Sequence, residues 1–531
     1  MTIRSYDTMT TKTPLASEFE SVPTTVAPST KESIQASLGT LRASFRQGKL
    51  RAVESRKRIL RQIRTLVTEG TPLLEAAVMK DLHKHPTELH MMELSGVFQE
   101  IQEFLDYLDD WAAPEKVPTN LINFPGSSSI VSDPLGVCCI IGTWNYPVSL
   151  LLTPLVGCIG AGNTALLRLP ADGTSDHTAA ALAYLLDKYI DQDVVRYVAG
   201  GIDANIALLA EKFDLIFCTG GTTIGTIVAR AAAETLTPIV LELGGKSPCI
   251  VDAKVDIQVA ATRVAWGAFA NCGQTCIRPD YVFVHTSVAD QFVSAVVASV
   301  QSFFGPSPET SDSYGRLVNA AQYARLSAVV EADKAFVACG GSGDASARYL
   351  APTVLHFGRD VAAFEASAAL TRGELFGPVL PIVAYTDLDA VIGFINARPK
   401  PLALYVFSNN DRDVVAPVLG QTSSGSVCVN DTMIQITNSH LPFGGVGPSG
   451  MGAYHGKHSF LTFSHHKAVV RKTTRFDLPQ RYMPYTSASA RIMKAAGTPI
   501  TRTQTRLLVA AAVGAVAAII AAIVWAAAVS D

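Results

Sequence analysis

The chain has 531 residues, 48% of them hydrophobic, and a formal net charge of -3. That length gives material for two or three domains with buried cores, and the near-neutral balance without basic stripes excludes the electrostatic footprint of a nucleic-acid binder. Nine cysteines without a framework spacing, behind an N-terminus that lacks an apolar signal core, read as reduced thiols rather than a disulfide scaffold.

Residues 1–30, rich in Thr, Ser and Pro, read as a flexible tail. From Lys31 to Trp111 charged and apolar residues alternate near a 3.6 period, which predicts helices. The stretch from Ala112 to Gly136 is punctuated by Pro, Gly and Ser and predicts a hairpin or an excursion between two elements. An α/β rhythm follows. The runs "GVCCIIG", "TALLRL", "VVRYVAGG", "FDLIFCTG" and "TPIVLELGG" predict strands, separated by helical runs such as "VSLLLTPLVGCIGAG" and "TTIGTIVARAAAE". Strands alternating with helices imply a mainly parallel sheet. A second series, from "KSPCIVDA" to "DLDAVIGFINA", predicts a second α/β domain. Near the end, Leu507 to Val529 gives 23 residues without a charge. As a helix it is about 35 Å long, enough for a hydrocarbon core of about 30 Å, and it has no polar face. Lys494, Arg502 and Arg506 precede it and only Ser530 and Asp531 follow, so a cytosolic body is expected, with Trp525 as an interfacial anchor. The alternatives are a buried core helix or an Ala-rich helix that dimerises in water.

Several short stretches could carry chemistry. "CTGGTTIG", Cys218 to Gly225, joins an apolar strand to a helix; its glycines suit either a phosphate at the helix N-terminus or a tight turn with no ligand. In "GTWNYP", Asn145 could cap the next helix or present an amide to an oxyanion. Glu242 ends an apolar strand, as a general base with a raised pKa or as the partner of Lys246. Cys272 and Cys276 supply only half of a zinc pattern, and the spacing from His455 to His466 is irregular, so no metal site is expected. Cys276 follows a Gly turn, where its own N–H could join an oxyanion hole; Cys272 is the better candidate for packing. Glu374 and Phe376, in "RGELFGPVLPI", could meet a ribose diol and a planar ring, or sit solvated in a turn.

Taken in order, "GTWNYP", "TGGTTIG", "LELGGKSP", "NCGQTC", "ELFGPVLPI" and "LPFGGVGPSGMGAYHGKHSF" resemble an aldehyde dehydrogenase, over roughly Lys31 to Lys472. "RPKPLALYVFS", "GTWNYP" and "GMGAYHGK" are similar to the class 3 and fatty aldehyde dehydrogenase branch, and the C-terminal apolar stretch is similar to that of the fatty aldehyde enzymes. The resemblance implies an α/β aldehyde dehydrogenase fold. Residues 31–111 and 133–243 would bind the nicotinamide dinucleotide, 244–430 would form the catalytic domain, and 112–132 with 431–470 an oligomerisation arm. A linker at 471–506 and a transmembrane helix at 507–529 would follow. Cys276 matches the nucleophile, Asn145 the oxyanion amide and Glu242 the base. Trp144, Arg168, Gly220, Gly221, Thr222, Thr223, Ile224, Gly225, Glu374 and Phe376 match cofactor positions. Arg168 stands near a usual Lys, Gly221 where Ser is common and Gly373 in place of an acid, and the first two leave both NAD and NADP as expected cofactors. The implied activity is oxidation of aldehydes, long-chain fatty ones first, by a homodimer anchored at the endoplasmic reticulum, ahead of the peroxisome or the mitochondrial outer membrane. The alternatives are medium-chain or aromatic substrates, or an inactive anchored scaffold.

Overall fold

The structure, a computed structural model, describes residues 22–123, 125–499 and 501–529. A six-stranded sheet runs in the order Gly450–Met451, Ile239–Glu242, Leu215–Thr219, Val137–Ile141, Thr164–Arg168, Val195–Val198. All neighbours are parallel except the first pair, where Gly450 faces Glu242. Each strand is a short apolar run because both faces are covered. Cys138, Ile140 and Phe217 point into one core with helices Val53–Leu82, Ser149–Ala161 and Asp176–Tyr189. Cys139, Leu166 and Ile216 point into the other, with Leu38 of helix Lys31–Gln47 and Val228 of helix Thr222–Ala233. The strand order reverses between Val137–Ile141 and Leu215–Thr219. Ligands of open α/β sheets bind in the crevice at such a point, and the two loops that leave it carry Asn145 and Gly220–Gly225.

A seven-stranded sheet runs Val337–Cys339, Thr353–His356, Val379–Tyr385, Tyr281–His285, Pro248–Val251, Ala403–Phe407, Ser426–Val429, parallel except for the first pair. The hairpin expected after Ala112 forms, with Glu115–Val117 antiparallel to Ser127–Pro134, in a three-stranded sheet with Ser464–Arg471.

Two compact units result: one holds both large sheets, up to Ala113 and from Ser132 to His466, and the other holds Pro114–Val131 and the chain from Lys467 on. Residues 431–466, expected in the arm, therefore belong to the body. Phe443, Tyr454, Phe460 and Phe463 are core residues there, and the buried Glu100 carboxylate accepts from Gly456 N–H (2.7 Å) and Ser459 Oγ (2.6 Å). The expected tail also stops short of residue 30. Ser29 N–H donates to Ala199 O (2.8 Å) and Thr30 caps helix Lys31–Gln47, while positions 1–21 lie outside the described residues. Among the described residues no helix is long and apolar enough to cross a membrane. The expected span falls on helix Arg502–Val529, whose side chains at 505, 508, 509, 512 and from 521 on lie outside the described residues.

Candidate active site

The site assembles from two loops, one at the end of each large sheet. After Val137–Ile141 the chain turns through Trp144 and Asn145 into helix Ser149–Ala161. Asn145 is 2% exposed. Its backbone carbonyl accepts from Lys84 Nζ and Asn271 Nδ2, both at 2.9 Å, and its own Nδ2 donates to Gln274 O at 3.0 Å. That carbonyl partner fixes which way the amide points, and Asn145 Oδ1 is left buried without a partner. Asn145 does not cap the following helix, whose N-terminal amides meet Glu93 instead.

The second loop follows helix Ile257–Phe269. Asn271, Cys272 and Gly273 take consecutive left-handed conformations, with φ of 53°, 54° and 69°. Non-glycine residues are held there only by surrounding structure. Here the Glu88 carboxylate accepts the Asn271 N–H, and a Cβ on Gly273 would lie 2.4 Å from Gly377 O. Cys272 is 1% exposed, in the core with Tyr314, as the packing reading expects. The tight turn delivers Thr275 and Cys276 beside the first loop. Tyr146 and Thr275 share a hydroxyl hydrogen bond of 2.6 Å.

Cys276 is half-buried and lines a cavity of about 170 Å³ whose wall includes Met91, Met92, Leu150, Trp266, Met433 and Phe443. Burial pushes its thiol up to about 12, aided by the charges of Glu374 and Glu242, while the N–H groups of Cys276 and Ile277 pull the other way. Glu242 is 3% exposed, and neither carboxylate oxygen has a partner. Burial holds it well above the usual carboxylate range. The alternative pairing with Lys246 is not made: Lys246 binds Asp280, Ala369 O and Gly373 O. Once deprotonated, Cys276 is the nucleophile this arrangement offers, and a carboxylate whose pKa is raised by burial is, once ionised, a stronger base than an exposed one.

The expected cofactor residues lie toward the other mouth of the crevice. Helix Thr222–Ala233 starts at Gly221 with no side-chain cap, and a Cβ at Gly221 would meet nothing within 4 Å. Its first N–H groups, at Thr222, Thr223 and Ile224, stand at an exposed helix N-terminus suited to phosphate. Gly220 N–H donates to Glu242 O (3.0 Å), which ties the start of the turn to the end of the neighbouring strand. Gly225 is needed for close approach, since a Cβ there would lie 2.7 Å from Leu243. Arg168 is 5% exposed and engaged with Asn205 Oδ1 (2.9 Å) and Asp172 Oδ2 (2.7 Å). Glu374 is not a solvated turn residue. Its Oε1 is buried without a partner, and burial, then the charge of Asp280, pushes it up to about 8. Phe376, at φ 47°, meets Trp144 edge to face at 5.4 Å. An orphaned carboxylate oxygen, an open glycine turn at a helix N-terminus and a paired aromatic wall fit a dinucleotide.

Sequence reasoning missed Lys84, Glu88, Glu93, Asn271 and Gln274, which hold the two loops from behind, and Glu100, which holds Gly456 and Ser459. The only signal was charge in otherwise apolar surroundings, as in "LHKHPTELHMMEL". His455 lines the cavity, stacked on Phe443 at 5.4 Å and lowered to about 4 by burial. Among the described residues no group of three His, Cys, Asp or Glu could hold a metal.

A family profile described as "Aldehyde dehydrogenase family" matches residues 6–469. The mouse protein named aldehyde dehydrogenase family 3 member A2 is 43% identical over 81% of this chain and 87% of its own. A dog aldehyde dehydrogenase named dimeric and NADP-preferring is 41% identical, over 83% of this chain and 96% of its own. Among solved structures, the substrate-bound Staphylococcus aureus AldH superposes with a TM-score of 0.83 at 36% identity, covering 87% of this chain and 99% of that one. On its sheets, its site and these matches, the chain belongs to the aldehyde dehydrogenase family and is an aldehyde dehydrogenase.

Proposed function

We propose that the protein oxidises fatty aldehydes to carboxylates with NAD, and also with NADP, as a homodimer tethered to the endoplasmic reticulum with its body in the cytosol. The observation that carries the substrate reading is the cavity at Cys276, whose wall is mainly apolar: Met91, Met92, Leu150, Trp266, Met433 and Phe443 line it, and its two carboxylates, Glu93 and Glu100, are held by Lys84 and by Gly456 and Ser459. Unbranched Met side chains adapt to a flexible chain. The name of the dog relative supports the dimer and NADP, and an NAD+ complex of the Mycobacterium tuberculosis enzyme, 25% identical with a TM-score of 0.76, supports NAD. The uncharged stretch from Leu507 to Val529, preceded by Arg502 and Arg506, supports the tether.

The chemistry follows from the residues. Cys276 Sγ, once ionised, adds to the aldehyde carbonyl carbon, and the carbonyl electron pair moves to oxygen. The Asn145 amide and the Cys276 N–H stabilise that oxyanion where charge develops. A bound nicotinamide would supply the hydride acceptor, and loss of hydride from this carbon would leave a thioester on Cys276. Gly220–Gly225, Glu374, Phe376 and Trp144 would hold the dinucleotide so that the ring meets that carbon. Glu242, once ionised, takes a proton from water as it attacks the thioester, and it returns that proton to the leaving Cys276 sulfur as the carboxylic acid departs and the thiol reforms.

The test is a kcat/KM series over saturated aldehydes from short to long, for the full chain in detergent, with NAD and with NADP. A rise with chain length is expected. A maximum at short or aromatic aldehydes contradicts the fatty reading but not the chemistry. Carbonate extraction of the membrane fraction tests the tether, and release of the full chain into the supernatant contradicts it.

A further inference from the structure

We propose that the buried ion pair Lys84–Glu93 is the positioning unit for the oxyanion amide, an inference that rests on the role given to Asn145 above. The two side chains are 1% and 0% exposed. Removing both charges from water is costly, and an apolar pair of similar volume would serve stability as well or better. What the pair supplies is a set of directed contacts. Lys84 Nζ donates to Glu93 Oε1 at 2.7 Å and to Asn145 O at 2.9 Å, and lies 4.3 Å from the centre of the Tyr146 ring. Glu93 Oε2 accepts from Val148 N–H at 3.0 Å and Ser149 N–H at 3.2 Å.

One ion pair thus grips the segment from Asn145 to Ser149 at both ends. The cation takes the carbonyl that precedes the turn. The anion takes the first amides of helix Ser149–Ala161, whose N-cap Val148 offers no side chain for them. Asn271 Nδ2 adds a second donor to the Asn145 carbonyl, and Tyr146 is fixed to Thr275, next to the nucleophile. With its backbone pinned on both sides, Asn145 keeps only its side-chain torsions, and the Gln274 carbonyl selects among those. Glu93 reaches this position from a π-helical turn, His90–Leu94, which also sends Met91 and Met92 to the cavity wall. Such widened turns are rare and frequently stand at functional sites. The same turn therefore shapes the substrate wall and holds the catalytic amide.

The test uses the full chain with a long-chain aldehyde and compares Lys84→Met, Glu93→Gln and Asn145→Ala with the double variant Lys84→Met/Asn145→Ala. The account expects Lys84→Met to lower kcat by roughly 100-fold, as for a misplacement of about 1 Å. The aldehyde KM and the NADH affinity read by fluorescence should stay unchanged. In the Asn145→Ala background the same substitution should have little further effect, because residues acting through one another are not additive. Glu93→Gln keeps the shape and one of the two acceptor oxygens, so it serves if Lys84→Met does not fold, and it should show a smaller kcat loss with the same absence of additivity. A folded Lys84→Met or Glu93→Gln protein with full kcat, or losses that multiply in the double variant, overturns the inference alone. An Asn145→Ala protein with full kcat overturns the oxyanion reading and this inference with it.

Discussion

At the scale of single residues, the burial of each group in the site sets its chemistry. Cys272 and Cys276 share a short loop, yet one lies in the core and the other faces the cavity. Cys276→Ala should abolish NADH formation, while Cys272→Ala should keep it and lower stability by about 1 kcal/mol, read by urea unfolding. Asn145→Ala should lower kcat by roughly 100- to 1000-fold, the cost of one oxyanion donor. The thiol of Cys276 is raised by burial and then by two carboxylates. Removing an anionic neighbour favours the thiolate, so Glu242→Gln should shift the pH midpoint of iodoacetamide alkylation downward. An upward shift would contradict the proximity of the two groups. The nucleophile, the amide and the base were legible because short motifs carried them. Their supports were not, since nothing in "LHKHPTELHMMEL" says that Lys84 and Glu93 turn inward rather than into solvent.

At the scale of elements, the parallel sheets were legible because strands buried on both faces become continuous apolar runs, such as Val379–Tyr385. The arm boundary was not. Residues 431–470, expected in the oligomerisation arm, are held in part by helix Ser95–Ala112: Glu103 accepts from Ser439 Oγ, and the buried Glu100 carboxylate accepts from Gly456 N–H and Ser459 Oγ. Burial pushes that carboxyl, Glu100, from an ordinary 4.5 up to about 7, against the hydrogen bonds from Ser459 and Gly456. A raised folded-state pKa means that the folded protein binds the proton more tightly. The favourable contribution of Glu100 is then complete below pH 4.5 and is lost as pH rises through 7. Wild type should therefore lose on the order of 3 kcal/mol more than Glu100→Gln between pH 4.5 and 7.5, measured by urea unfolding of both proteins. Equal losses would show that Glu100 does not titrate in that window.

At the scale of the whole molecule, function depends on one crevice where two parallel sheets present their loop ends. The six-stranded sheet brings Asn145, Glu242 and the glycine turn; the loop beside the seven-stranded sheet brings Cys276, and Glu374 completes the wall. The order of motifs along the chain announced these parts, but their convergence is a product of strand order, which local sequence does not encode. The most direct test of the account is to trap its covalent intermediate. The Glu242→Gln protein, incubated with a long-chain aldehyde and NAD and digested with a protease, would be analysed by mass spectrometry of the peptide containing Cys272 and Cys276. The account predicts one acyl group, in thioester linkage to Cys276 and removable by hydroxylamine, in an amount equal to the NADH formed in the first turnover. NADH released without an acyl group on Cys276, or an acyl group on Cys272, would contradict it.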